Sequence, residues 1–213
     1  MKQLIMVFVG LLLATTQVNA TAQATESLIY EGEAMATLSN PLEAYFNDAR
    51  PKPRKILKAT CSAIWRGYLA TWEVKGQTLY LNKIAKGSCS GNGADIPLAK
   101  IFPGKTSPLK AAWFSGVLII PEGEMVRYRH DEYESTYEHY RLVMVSSGKV
   151  GKVQRLDLDA FQKLRSERFV RYQSTEAYRQ RFDKLRASGR YSKSEAEQRL
   201  YKTDMAYYLA VAE

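Results

Sequence analysis

From Thr60 to Leu156 apolar side chains recur at every second residue, and from Asp157 onward they recur at helical spacing. A period of two puts alternate side chains on opposite faces of a strand, whereas 3.6 gathers them along one stripe of a helix. The switch predicts an α+β fold: an antiparallel β-meander domain over 60–156 followed by a helical C-terminal appendage over 157–213. Within the first block, Tyr68 to Lys75 carries Tyr68, Ala70, Trp72 and Val74 on one face. Gly76-Gln77, glycine first, predicts a type II′ turn into a return strand from Thr78. Lys110 to Ile120 reads as a strongly apolar strand, Pro121 to Glu124 as the turn that ends it, and Glu124 to His130 as its partner. Tyr137 to Ser146 and Lys149 to Leu156 read as two more strands around Ser147-Gly148. Upstream, Leu28 to Ser39 reads as one strand weakened by Gly32, and Pro41 opens a short helical turn. Asp95 is placed to cap a short helix ending before Pro103, Ser174 a second C-terminal helix, and Ser192 or Ser194 a third.

The first residues, MKQLIMVFVGLLLATTQVNA, have another character. A cationic Lys2, an apolar run and the small-x-small ending Val18-Asn19-Ala20 predict a signal peptide over 1–20, cleaved after Ala20. The expected location is periplasmic or secreted. No transmembrane segment is expected in the mature chain, because no later apolar run reaches the length of about 20 residues that a span needs. The two cysteines, Cys61 and Cys89, are predicted to form a disulfide in an oxidising compartment. No C-x-x-C is present, so neither a dithiol redox site nor a four-cysteine zinc site is available.

The formal net charge is +9, which suits an anionic envelope surface or an acidic partner. Export argues against nucleic acid. The densest cationic group, Arg50 to Lys58, contains two prolines. It reads first as a solvated linker closing an N-terminal segment over 21–59, and second as an anion-contacting patch.

The stretches WRGYLATWEVKGQTLYLNKI and AAWFSGVLIIPEGEMVRYRHDEYESTYEHY resemble a family of bacterial proteins of uncharacterised function. Its recurring form is W-x-S-G-x-L-x-I-P-x-G-E, then Y-x-H-x-x-Y-x-S-x-Y-E. Trp113, Ser115, Gly116, Pro121, Gly123, Glu124, Tyr128, His130, Tyr133, Ser135, Tyr137 and Glu138 stand at the motif positions. Ala112 departs from an aspartate common in the family, and Glu132 from a glycine. The resemblance covers about 60–156; it implies a common fold and transfers no mechanism.

Both histidines, His130 and His139, fall in the same acidic and aromatic stretch. As a strand residue, His130 would share a face with Val126 and Tyr128 and be half-buried, bonded across the hairpin to a tyrosine or carboxylate. A catalytic reading makes it a general base beside Glu124 or Glu138. Its spacing from His139 matches no metal motif, so no metal and no cofactor are expected. Ser115 lacks the G-x-S-x-G context of a nucleophile elbow, and Ser135 forms a triad with His130 and Glu138 only on paper. The carboxylates Asp131, Glu132, Glu134 and Glu138 predict an exposed acidic and aromatic turn at 131–138. The expected function is therefore non-catalytic binding of a protein or envelope component through Tyr128, His130, Tyr133, Tyr137 and Glu138. A periplasmic immunity protein against a delivered toxin is one version. The alternative is an envelope hydrolase using His130 with Glu124 or Glu138.

Overall fold

A computed structural model describes residues 21–89 and 93–212; the leader reading and part of the glycine-rich loop after Cys89 lie outside them. The strands are β1 (Glu26–Tyr30), β2 (Glu33–Thr37), β3 (Tyr68–Lys75), β4 (Thr78–Lys86), β5 (Leu109–Lys110), β6 (Gly116–Arg127), β7 (Thr136–Ser146) and β8 (Lys149–Asp157). The helices are α1 (Leu158–Tyr172), α2 (Glu176–Ala187), α3 (Lys193–Thr203) and α4 (Met205–Tyr208). The fold is α+β: a mixed, mostly antiparallel eight-stranded sheet followed by C-terminal helices.

The sheet order is β2-β1-β3-β4-β8-β7-β6, with β5 on β4. It departs from a pure meander where β1 runs parallel to β3 and where β8 follows β4 in the sheet. The N-terminal segment is thus part of the sheet and not a leader to it. Leu28 to Ser39 is a hairpin, because Glu31 and Gly32 both take positive φ between Tyr30 and Glu33. Gly76 and Gln77 also both take positive φ, which makes that turn type I′ in place of the expected II′. Ser147-Gly148 follows the same pattern. All three turns match the right-handed twist of the strands they join.

β4 meets β8 only at Thr78–Lys149, so the sheet turns a corner there. Its two ends come back together: Leu38 N–H donates to Ile119 O at 2.8 Å, and the buried Ser39 hydroxyl donates to Val117 O at 2.8 Å. Alternation along β6 then explains its continuous apolar run. Leu118 and Ile120 point into the closed sheet with Leu28, Trp72, Leu81 and Val143. Val117 and Ile119 point out, beneath Phe161, Tyr172, Leu200 and Tyr208 of the helices. A strand covered on both faces has no polar side to show in its sequence.

Pro121 to Glu124 does not turn the chain. β6 runs through it to Arg127, with register shifts between Glu122 and Met125 and between Met125 and Arg127. Gly123, at φ +77°, absorbs the extra residue as a bulge, and a bulge bends a strand without reversing it. The segment from Pro97 to Phe102 holds only a 3-10 turn, Leu98–Lys100, without a side-chain cap; Asp95 instead bridges Ala85 on β4. Thr175, not Ser174, caps α2, its hydroxyl accepting from Tyr178 N–H. Ser192 and Glu195 form a reciprocal capping box on α3. Cys61 and Cys89 are joined, tying the approach to β3 to the exit of β4. No helix among the described residues is long and apolar enough to cross a membrane.

Candidate functional site

Residues 128–135 connect β6 to β7, and this loop has two unlike sides. The inner side is pinned. Asp131 accepts from Lys202 Nζ at 2.5 Å, Glu134 from Arg165 at 2.8 Å, and Glu132 lies 3.5 Å from Arg199 and accepts from Trp65 Nε1 at 3.2 Å. Arg165 is itself buried, bonded to Tyr208 OH at 3.0 Å and stacked over the Tyr201 ring at 4.7 Å. Asp131, Glu132 and Glu134, which read as part of an exposed acidic turn, are thus the countercharges of α1 and α3. Burial holds the Glu132 carboxyl above its ordinary range, with Arg199 opposing. The Ser135 hydroxyl accepts from Arg129 N–H at 3.0 Å and closes the neck of the loop, which accounts for that serine.

Tyr133 also turns inward, into a polar network beneath the N-terminal segment. Its hydroxyl donates to Asn40 Oδ1 at 2.9 Å and accepts from Arg66 at 3.1 Å. Arg66 Nε donates to Glu26 Oε1 at 2.9 Å, with both side chains wholly buried, and Trp72 Nε1 donates to Glu26 Oε2 at 2.6 Å. Burial pushes the Glu26 carboxyl up to about 7 against the pull of Arg66 and Trp72, and pushes the Tyr133 hydroxyl up to about 12. Beside this network, Lys52 Nζ sits 2.6 Å from Glu43 and faces the rings of Phe46, Trp65 and Tyr68 at 5.2–5.8 Å. Burial lowers its pKa while Glu43 raises it. The cationic stretch from Arg50 is therefore not uniformly solvated: Arg50 lies over Tyr45, Lys52 is enclosed and Leu57 is buried.

A cleft of about 880 Å³ separates residues 38–48 and the pinned loop from α2, α3 and α4. Its charged walls are already matched, Arg181 with Asp204, Lys184 with Asp48 and Arg199 with Glu132.

The outer side of the hairpin is open. Met125, Val126 and Tyr128 are 47%, 57% and 60% exposed. His130 is exposed in the loop and not half-buried on a strand, with Nδ1 2.9 Å from the Tyr128 hydroxyl. Glu138 is engaged at the bulge, where its Oε2 accepts from Glu124 N–H at 3.0 Å. Among the described residues no hydrogen bond joins His130 to Glu124 or Glu138, and Ser115 is used by the Ser147 turn. Of the five residues expected to bind, Tyr128 and His130 share the exposed tip. Tyr133 is inside, Tyr137 is half-buried beside Tyr140, and Glu138 serves the bulge.

Sequence reasoning passed over Glu26 and Asn40, and marked Arg66 only as a position shared with the resembling family, without a role. A signal existed for the first, since Glu26 shares parity with Leu28 and Tyr30 on the buried face of β1. No family model matches this chain, and neither a curated protein nor a solved structure matches it.

Proposed function

We propose that this chain is an exported, non-catalytic binding protein that engages a protein partner through the open end of the β6–β7 hairpin. The observation that carries the reading is the clustering of exposed apolar surface. Of six large apolar side chains exposed among the described residues, Met125, Val126 and Tyr128 fall within four residues. Arg127, Arg129 and His130 surround them with polar and cationic groups, and an apolar patch with a polar rim is the ordinary composition of a docking surface. The ion pairs on the inner side of the loop favour the same reading, because they hold the tip in place before any partner arrives and lower the ordering cost of binding. The disulfide supports an oxidising compartment. Immunity against a toxin delivered by a neighbouring cell is the specific role we favour, with the toxin as the partner.

The test is site-specific photo-crosslinking in living cells. A crosslinker at Val126 should trap a discrete envelope partner, and the Tyr128→Ser background should lose that adduct at an unchanged melting temperature. A crosslinker at Val170, 67% exposed on α1, should trap none. Equal trapping from both positions, or none from Val126, defeats the proposal.

A further inference from the structure

A second concavity, of about 430 Å³, is bounded by two irregular segments and the end of β4. Residues 55–60 form one wall and residues 94–100 the other. The second wall is fixed to β4 by Lys86 N–H donating to Ala94 O at 2.9 Å and Ile96 N–H donating to Ile84 O at 2.8 Å. The first is held by the Thr60 hydroxyl, which donates to Gly87 O. Four lysines, Lys55, Lys58, Lys86 and Lys100, line this space, and all four are exposed. The single carboxylate in the lining, Asp95, is 2.9 Å from Lys83 Nζ. Among the described residues none of the four ammonium groups has an ion-pair or hydrogen-bond partner.

This differs from the cation-rich walls of the larger cleft. Arg181, Arg199 and Lys202 around that cleft, and Arg165 on α1, face carboxylates at 2.5–3.5 Å. Here four lysines line a space whose single carboxylate, Asp95, is already paired with Lys83. Like charges around a concave wall repel one another and raise the local potential, and the field is relieved by a multivalent anion more than by several monovalent ones. Lysine supplies mobile point charges with three donors each, suited to phosphate oxygens arriving in more than one orientation. Ile56, Ile96 and Pro97 add an apolar lining that a bare inorganic ion would not use.

We propose that this lysine pocket is a binding site for a phosphate-class polyanion, independent of the hairpin tip. The shared chemistry is a pair of phosphoryl charges, whether on a soluble pyrophosphate or on the headgroup of an envelope lipid. Two probes separate the sources. Inorganic pyrophosphate is titrated into the mature protein by calorimetry at low salt. In parallel, the protein is sedimented with phosphatidylcholine vesicles with and without phosphatidic acid. The Lys86→Glu/Lys100→Glu variant is compared with Lys152→Glu/Lys163→Glu, which changes the net charge equally at exposed positions on β8 and α1. Matched circular dichroism and melting temperatures establish that both are folded. The pocket variant should bind at least about tenfold more weakly and the control should stay within about twofold of wild type. Saturable pyrophosphate binding without vesicle retention assigns a soluble ligand; retention that pyrophosphate displaces assigns a lipid headgroup. Equal weakening in both variants would reduce the pocket to general cationic attraction, and absence of both binding and retention would remove the site altogether.

Discussion

Replacing Arg66 by methionine isolates the Glu26 carboxylate in the interior. Arg66 and Glu26 have no exposed side-chain surface, and their contact is 2.9 Å. Arg66 also donates to Ala24 O at 2.7 Å and to Tyr133 OH at 3.1 Å. Removing one member of a buried ion pair costs about 3–5 kcal/mol when the other stays charged. Glu26 need not stay charged. Its pKa is 4.5 as an ordinary glutamate and about 7 in the folded protein. That displacement corresponds to about 3 kcal/mol of stability that is fully present below 4.5 and is lost as the pH rises through 7. Without Arg66, the cation that pulls the value down, the carboxyl rises further. Arg66→Met should therefore cost about 3–5 kcal/mol at pH 8 and only about 1–3 kcal/mol at pH 5, where the neutral carboxyl leaves hydrogen bonds unmade but no bare charge. The Glu26→Gln/Arg66→Met double variant keeps an acceptor for Trp72 and removes the titration. It should be more stable than the single variant at pH 8 and nearly insensitive to pH across this window. Urea denaturation of wild type and variants at both pH values measures each quantity. A single-variant loss that is the same at pH 5 and pH 8, or a double variant no more stable than the single at pH 8, would refute a charged Glu26 held by Arg66.

Reduction of Cys61–Cys89, which closes a loop with a sequence separation of 28, should lower stability by about 3–4 kcal/mol; an unchanged denaturation midpoint with reductant would contradict that. Gly67→Ala should destabilise by about 2 kcal/mol or more, because the residue sits at φ +80° and an added Cβ would lie 2.4 Å from Leu57 O, a backbone atom that cannot rotate away; wild-type thermal stability would show that the wall at 57–58 gives. Phe161→Ala should cost about 3–5 kcal/mol in chemical denaturation, since its ring stacks on Tyr140 with centroids 3.7 Å apart at the helix–sheet junction. His130→Gln should change stability by no more than about 0.5 kcal/mol, as expected for an exposed loop residue; a larger loss in a melting curve would mean that its bond to Tyr128 organises the tip.

Some of this protein is written along the chain and some is not. The faces of β3, the two returning strands around Ser147-Gly148, the disulfide partners and the Ser192 cap of α3 follow from local rules: side-chain parity, turn residues and hydrogen-bonding caps act over a few positions. The α+β class follows from the change of period at Asp157 for the same reason. Long-range partnerships carry no such signal. That β1 lies parallel to β3, that Ser39 stitches β2 to β6, and that β6 passes straight through Pro121 to Glu124 depend on which strand edges meet after the chain has folded. The acidic stretch shows the difference most sharply. A run of carboxylates beside aromatic rings reads as a solvated or catalytic surface when no countercharge is adjacent in sequence. Arg165, Arg199 and Lys202 stand 31 to 71 positions away from the residues they neutralise, and only the packing of α1 and α3 over the loop brings them within reach. Electrostatic pairing depends on distance in space, and the sequence fixes that distance only through the whole fold.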